Sequence, residues 1–251
     1  MTPGTVYLVG AGPGAPDLLT LRAAKVLARA DVVFYDALVH PETIALAVHA
    51  ERIAVGKRCG KHSTAQRFIN KRLIDAARKH STVVRLKGGD PMLFGRAHEE
   101  IAALREAGVR FEVVPGVTAA LAASADLGIS LTRRGTARSV VFLTPRVGVG
   151  EEPNDWARAA VAADTAVIYM GVGQAGAIAD TLLAEGMPPA TPVVVVENAS
   201  LPEQARHALT LRDLPQIAAL GLSGPAVILL GEVYSQMPVE QSEASPEVRC
   251  A

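Results

Sequence analysis

Cysteine, aromatic residues, net charge and long apolar runs are all scarce in this sequence. Of 251 residues only two are cysteine, Cys59 and Cys250. They are far apart and fit no metal-ligand spacing, so neither a disulfide framework nor a cysteine metal site is expected. Aromatics make up 4% of the chain, which argues against a stacking platform for single-stranded nucleic acid. The formal net charge is zero, so no global field draws the protein to nucleic acid or to a membrane surface. No apolar run approaches the roughly 20 residues that span a bilayer. The first residues lack a basic stretch followed by an apolar one, so no signal peptide is expected and a cytoplasmic location is. What is present is a globular composition, 49% hydrophobic and 20% charged.

Short β-branched runs alternate with longer Ala/Leu-rich ones. Thr5–Val9, Asp31–Tyr35, Arg52–Val55, Thr82–Leu86 and Phe111–Val114 read as strands. They are nearly continuous apolar runs, as in strands buried on both faces. Between them Leu18–Ala30 has helical spacing, and Ser63-Thr-Ala-Gln66 is a capping-box pattern opening a helix toward Lys79. Such alternation predicts βαβ units and a mostly parallel sheet. Leu127–Arg138 loses the periodicity and reads as a linker. A second set follows, with strands at Ser139–Thr144, Thr165–Met170, Thr191–Glu197 and Ala226–Leu230 and helices at Asp155–Ala163 and Gln174–Glu185. The expected organisation is an α/β lobe over 1–130, a second over 131–236, and a disordered tail over 237–251.

Two glycine-rich loops follow predicted strands. Gly10-Ala-Gly-Pro-Gly-Ala15 superficially fits a dinucleotide fingerprint, with Asp36 placed where a ribose-binding acid would sit. Pro13 and Pro16 oppose that reading. A dinucleotide site needs free N–H groups of a helix starting inside the loop. Pro13 has none, and Pro16 restrains the residue before it. The helix is not expected before about Asp17, so the loop reads as a close-approach surface rather than a phosphate cradle. The second loop, Gly88-Gly89-Asp90-Pro91, permits close backbone approach. Alone it is equally consistent with a simple turn. Met170 ends a predicted strand, where it suits either an adenine contact or an ordinary core.

At this point a resemblance becomes specific. VYLVGAGPGAPDLLTLRAAKVL, ADVVFYDALV, VGKRCGKHS, VVRLKGGDPMLFGR, FEVVPGVTAA, GISLTRR, VIYMGV and VVVVENAS occur in this order. Together they resemble the tetrapyrrole methylase family over about residues 5–235, and within it the enzymes that methylate uroporphyrinogen III on carbon. The resemblance implies two α/β lobes, the first sheet mostly parallel and the second mixed, with a cleft between them for S-adenosylmethionine, and a homodimer. It places the donor on Pro13, Gly88, Gly89, Asp90, Leu93, Thr118, Ala119, Met170 and Ala199. It makes Asp36 a proton acceptor and Lys57 a proton donor, with Arg96 as a further catalytic candidate. The implied product path runs through precorrin-1 to precorrin-2, with S-adenosylhomocysteine released and no metal required. With no further domain before Thr5, the chain is expected to stop at methylation.

The zero net charge hides an asymmetry that suits such a substrate. Sixteen of the 25 Lys and Arg residues lie in Arg52–Arg96 or among Arg133, Arg134, Arg138 and Arg146. Uroporphyrinogen III is a polycarboxylate, and guanidinium forks bind carboxylates bidentately. Arg67, Lys71, Arg72, Arg78 and Lys79 read as a solvated helix face. Arg58, Arg133 and Arg134 are better substrate candidates. Glu99 lies three residues after Arg96, so it either orients Arg96, meets a pyrrole N–H or forms a surface pair. The sequence departs from the family pattern at Ala97-His98, Arg133, Gly135-Thr136, Thr144-Pro145-Arg146 and Ala199. These departures leave open a later precorrin as substrate. The rival from another class is a dinucleotide-binding oxidoreductase.

Overall fold

A computed structural model describes residues 3–56, 66–148, 152 and 154–237. The described residues divide into two compact units. The first holds the chain up to Leu127 plus the short segment Asn198–Gln204; the second holds Gly128–Glu197 and the chain from Ala205 on. A linear division at 130/131 has no place for the 198–204 excursion.

The first unit is built on a five-stranded parallel sheet. Its strands are β1 (Thr5–Gly10), β2 (Val32–Tyr35), β3 (Glu51–Ala54), β4 (Thr82–Lys87) and β5 (Arg110–Val114), in the order β3-β2-β4-β1-β5. The apolar runs of β1, β2 and β4 have a physical reason: side chains alternate between two covered faces. Val6, Leu8, Phe34 and Val83 pack with Ile69 and Leu73 of α3 (Gln66–Ala77) and with Ile101 and Leu104 of α4 (Ala97–Glu106). Tyr7, Val9, Val33, Val84 and Leu86 pack on the other side with Ala23, Val26 and Leu27 of α1 (Leu21–Ala28). The edge strands β3 and β5 are largely exposed or half-buried.

Helix α1 starts later than the periodicity predicts. Pro16–Leu18 forms a single 3₁₀ turn instead, and Thr20 then caps α1 by accepting from the Ala23 N–H at 3.2 Å. The pattern Ser63–Gln66 lies outside the described residues up to 65; α3 is described from Gln66. Two further helices, α2 (Pro41–Ala45) and α5 (Ala119–Leu127), complete the unit.

The second unit has a mixed sheet. Its strands are β6 (Val140–Leu143), β7 (Thr165–Tyr169), β8 (Pro192–Glu197), β9 (Ala205–Thr210) and β10 (Ala226–Gly231), in the order β6-β7-β10-β8-β9. Only β6 and β7 run parallel; β10 opposes both β7 and β8, and β9 opposes β8. The helices α6 (Trp156–Ala162) and α7 (Ala175–Ala184) bury Ala160, Ile178 and Leu182 against the sheet. β9 is a strand that apolar pattern does not announce. Its sequence ARHALT has one buried residue, Ala208, because it is an edge strand held by its ladder to β8.

Candidate functional site

Three loops at the carboxyl ends of β1, β4 and β5 are tied together by backbone. Gly12 and Gly89 exchange hydrogen bonds in both directions: the Gly89 N–H donates at 2.7 Å and the Gly12 N–H at 3.3 Å. The Ala11 N–H donates to the Lys87 carbonyl at 2.7 Å. Asp90 joins the third loop. Its Oδ2 accepts from the Gly116 N–H at 2.9 Å, and its Oδ1 from the Met92 N–H at 2.7 Å. At Gly10 a Cβ would lie 2.6 Å from Gly116 Cα and 2.7 Å from the Gly89 carbonyl oxygen. Gly10 therefore serves loop-to-loop contact within the protein. At Gly89 φ is +65°, and nothing lies within 4 Å of where a Cβ would stand, so its outer side is open.

The donor candidates of the first unit gather around these loops. Pro13, Gly88, Gly89, Asp90, Leu93, Thr118 and Ala119 are all half-buried. Ala199 comes with them through the 198–204 segment. The Ala15 N–H donates to Ser200 Oγ at 3.0 Å, and the Ser200 N–H donates to Asp126 Oδ2 at 2.7 Å. Met170 belongs to the second unit, directly after β7. It is 44% exposed with φ +56°, so the ordinary core methionine is excluded. Among the described residues five non-glycine residues have positive φ: Phe94, Arg96, Met170, Asn198 and Ser200. All follow the carboxyl ends of β4, β7 or β8. Strain of this kind, about 1–3 kcal/mol each, persists where surrounding structure enforces it and clusters at ligand sites.

Among the described residues the glycine loop after β1 forms no dinucleotide cradle, because α1 begins at Leu21 and not inside that loop. Asp36 stands just past β2, its Oδ1 accepting from the Gly88 N–H and its Oδ2 from Arg85 Nη2, both at 3.4 Å. A Cβ on Gly56 would lie 2.8 Å from Asp36 Cβ, so the loop after β3 abuts Asp36. Lys57 and Arg58, which follow Gly56 in sequence, lie outside the described residues. Arg96 grips Glu99 bidentately at 2.6 and 2.9 Å, which holds the Glu99 carboxyl below its usual range. Arg133 and Arg134 are exposed on a tight turn of the second unit, closed between Arg133 and Ala137.

The basic run from Arg52 to Arg96 is not one surface. Lys71 and Arg78 pair with Asp75 on the exposed face of α3. Arg85 and Lys87 point the other way, into the sheet–helix interior, and are 4% and 5% exposed. There they meet Glu100, which is fully buried. Arg85 Nε donates to Glu100 Oε1 at 3.0 Å and Lys87 Nζ to the same oxygen at 3.3 Å. Burial, then the Arg85 charge, holds the Lys87 ammonium below the usual lysine range, while Glu100 and Asp36 oppose that. These three residues are not among the sequence candidates. Their signal was readable: Arg85 and Lys87 alternate with the buried Val83 on one face of β4. Glu100 shares the inward helical spacing of Ala97, Ile101 and Leu104.

A parallel sheet with glycine loops gathered at its carboxyl ends defines an α/β protein whose candidate ligand site lies at those ends. Residues 5–215 match the family Tetrapyrrole (Corrin/Porphyrin) Methylases. The chain belongs to that family. It is 47% identical over 232 residues to a siroheme synthase of Chromobacterium violaceum, covering 92% of this chain and 49% of that protein. The chain thus spans about half the length of the curated relatives it matches. Among solved structures, the uroporphyrin-III C-methyl transferase of Thermus thermophilus superposes with a TM-score of 0.82 at 43% identity. It covers 93% of this chain and all of that one, and was also solved in complex with S-adenyl homocysteine. A cobalt precorrin-4 methyltransferase gives a TM-score of 0.81 at 31% identity, over 92% of this chain and 95% of that one.

Proposed function

We propose that this protein transfers methyl groups from S-adenosylmethionine to two carbons of uroporphyrinogen III, through precorrin-1 to precorrin-2. The observation that carries the reading is the open backbone at Gly89, next to a Gly88 whose N–H is held by the Asp36 carboxylate, in a chain of which 93% aligns with a uroporphyrin-III C-methyl transferase. The donor fits the residues present. On the first unit, Gly89 offers approach to backbone and the Asp90 loop is pinned in place.

The donor supplies an already activated methyl on a sulfonium, so the C–S bond breaks with its electron pair on sulfur as the pyrrole carbon bonds to the methyl. The chain's contribution is alignment and proton handling. Asp36 accepts the proton that the methylated pyrrole must lose, and Lys57 donates where the ring system takes one up. Arg96, steadied by Glu99, binds or polarises the substrate; Arg58, Arg133 and Arg134 hold its carboxylates. The proposed active form is a homodimer in the cytoplasm.

Anaerobic incubation with uroporphyrinogen III and S-adenosylmethionine tests the reading. The product mass should rise by two methyl groups. An unmodified tetrapyrrole, with donor and substrate both intact at the end, overturns it. The likeness to a cobalt precorrin-4 methyltransferase favours one alternative, methylation of a later precorrin, which the same mass assay distinguishes when that substrate is supplied.

A further inference from the structure

Behind the Asp36 carboxylate lies a buried cluster that the proposed chemistry does not use directly. Arg85 is its centre. Its guanidinium makes a 3.0 Å bond to the fully buried Glu100 but only a 3.4 Å bond to Asp36, whose side chain is 24% exposed. Its remaining Nη1 donates to the Leu86 carbonyl at 3.0 Å and reaches the Phe34 carbonyl at 3.5 Å. Glu100 Oε1 accepts from Arg85, from Lys87 Nζ at 3.3 Å and from Gln66 Nε2 at 3.1 Å. Gln66 is in turn bonded to Asn70, and Asn70 to the Glu99 carbonyl, so α3 and α4 are fastened to the cluster. Two cations and two carboxylates balance within it.

We propose that Glu100 is a positioning residue for methyl transfer: it commits Arg85 to the interior, so that Arg85 orients Asp36 without neutralising it and the Asp36 carboxylate stays able to accept a proton. This inference rests on the reading of Asp36 as the proton acceptor. The geometry explains why two buried cations lie so near a base. A guanidinium free to pair bidentately with Asp36 would hold that carboxylate ionised and make it a poor acceptor. Glu100 takes the shorter bond and, with Lys87, offsets the charge that remains. Among the described residues the charged groups facing Asp36 are Arg85 and Lys87 of β4 and, behind them, Glu100 of α4. From α3, Arg72 lies over the Phe34 ring, 5.5 Å from its centroid.

The test uses the full chain and three variants: Glu100→Gln, Lys87→Met, and both together. Removing the anion should let Asp36 remain ionised to lower pH. The acid limb of the kcat/KM profile then moves down by about one unit, and kcat falls about tenfold while donor affinity holds within about twofold. Removing the cation should move the same limb upward. The charge-balanced double variant should return it close to the original position. The carboxyl-carbon NMR resonance of Asp36, assigned by its loss in Asp36→Asn, should titrate in the same order without any turnover. If Glu100→Gln does not fold, Lys87→Met against the double variant still gives the sign. Limb and resonance unmoved in folded variants, or displaced the same way by both single changes, overturn the inference. A wild-type protein that methylates no tetrapyrrole sinks the proposed function instead, and the NMR order then decides the cluster alone.

Discussion

Gly10 admits no side chain, because the atoms it would strike are backbone atoms of two other loops. Gly10→Ala should therefore push the three loops apart rather than displace a flexible neighbour. The expected cost is about 1–3 kcal/mol in urea unfolding, with a parallel loss of S-adenosylhomocysteine affinity by calorimetry. A Gly10→Ala protein of unchanged stability and affinity would show that the loops separate freely. At this scale the sequence was legible where a residue's chemistry is local. The two prolines argue against a phosphate cradle from their covalent structure alone, and α1 begins where that argument puts it or later. Pairings made across the sheet were not legible. Counting charges from Arg52 to Arg96 merges the solvated Lys71 and Arg78 with the buried Arg85 and Lys87, because a count ignores which face a side chain takes.

Helix α1 shows how an element's start is decided by a few polar groups. The apolar spacing runs from Leu18, but Pro16 opens a 3₁₀ turn and Thr20 supplies the first good acceptor for an N-terminal N–H. Thr20→Ala should lower stability by about 1 kcal/mol, seen as a lower urea midpoint at unchanged slope. A midpoint equal to wild type would mean that the cap is dispensable. Strands β1, β4, β8 and β10 were legible because sheets buried on both faces demand near-continuous apolar runs. β9 was not, because an edge strand needs no such run and its Arg206 and His207 break the pattern.

For the whole molecule, sequence pattern conveys two α/β lobes but not the return of residues 198–204 to the first unit, since seven residues have no periodicity to read. The proposed dimer is checked by light scattering, which should report about twice the 26.2 kDa of one chain. A mass of one chain at micromolar concentration would overturn it.

The short segment Asn198–Gln204 has a consequence for cutting the protein apart. The chain leaves the first unit at Leu127 and comes back to it seventy residues later, so no single scission yields that unit whole. A fragment ending at Leu127 strips Ser200 from the Ala15 N–H and from Asp126, and takes away the Leu201 side chain that lies against Gly14. The glycine turn after β1 is thus finished by residues made long after it, and on a ribosome it must wait for them.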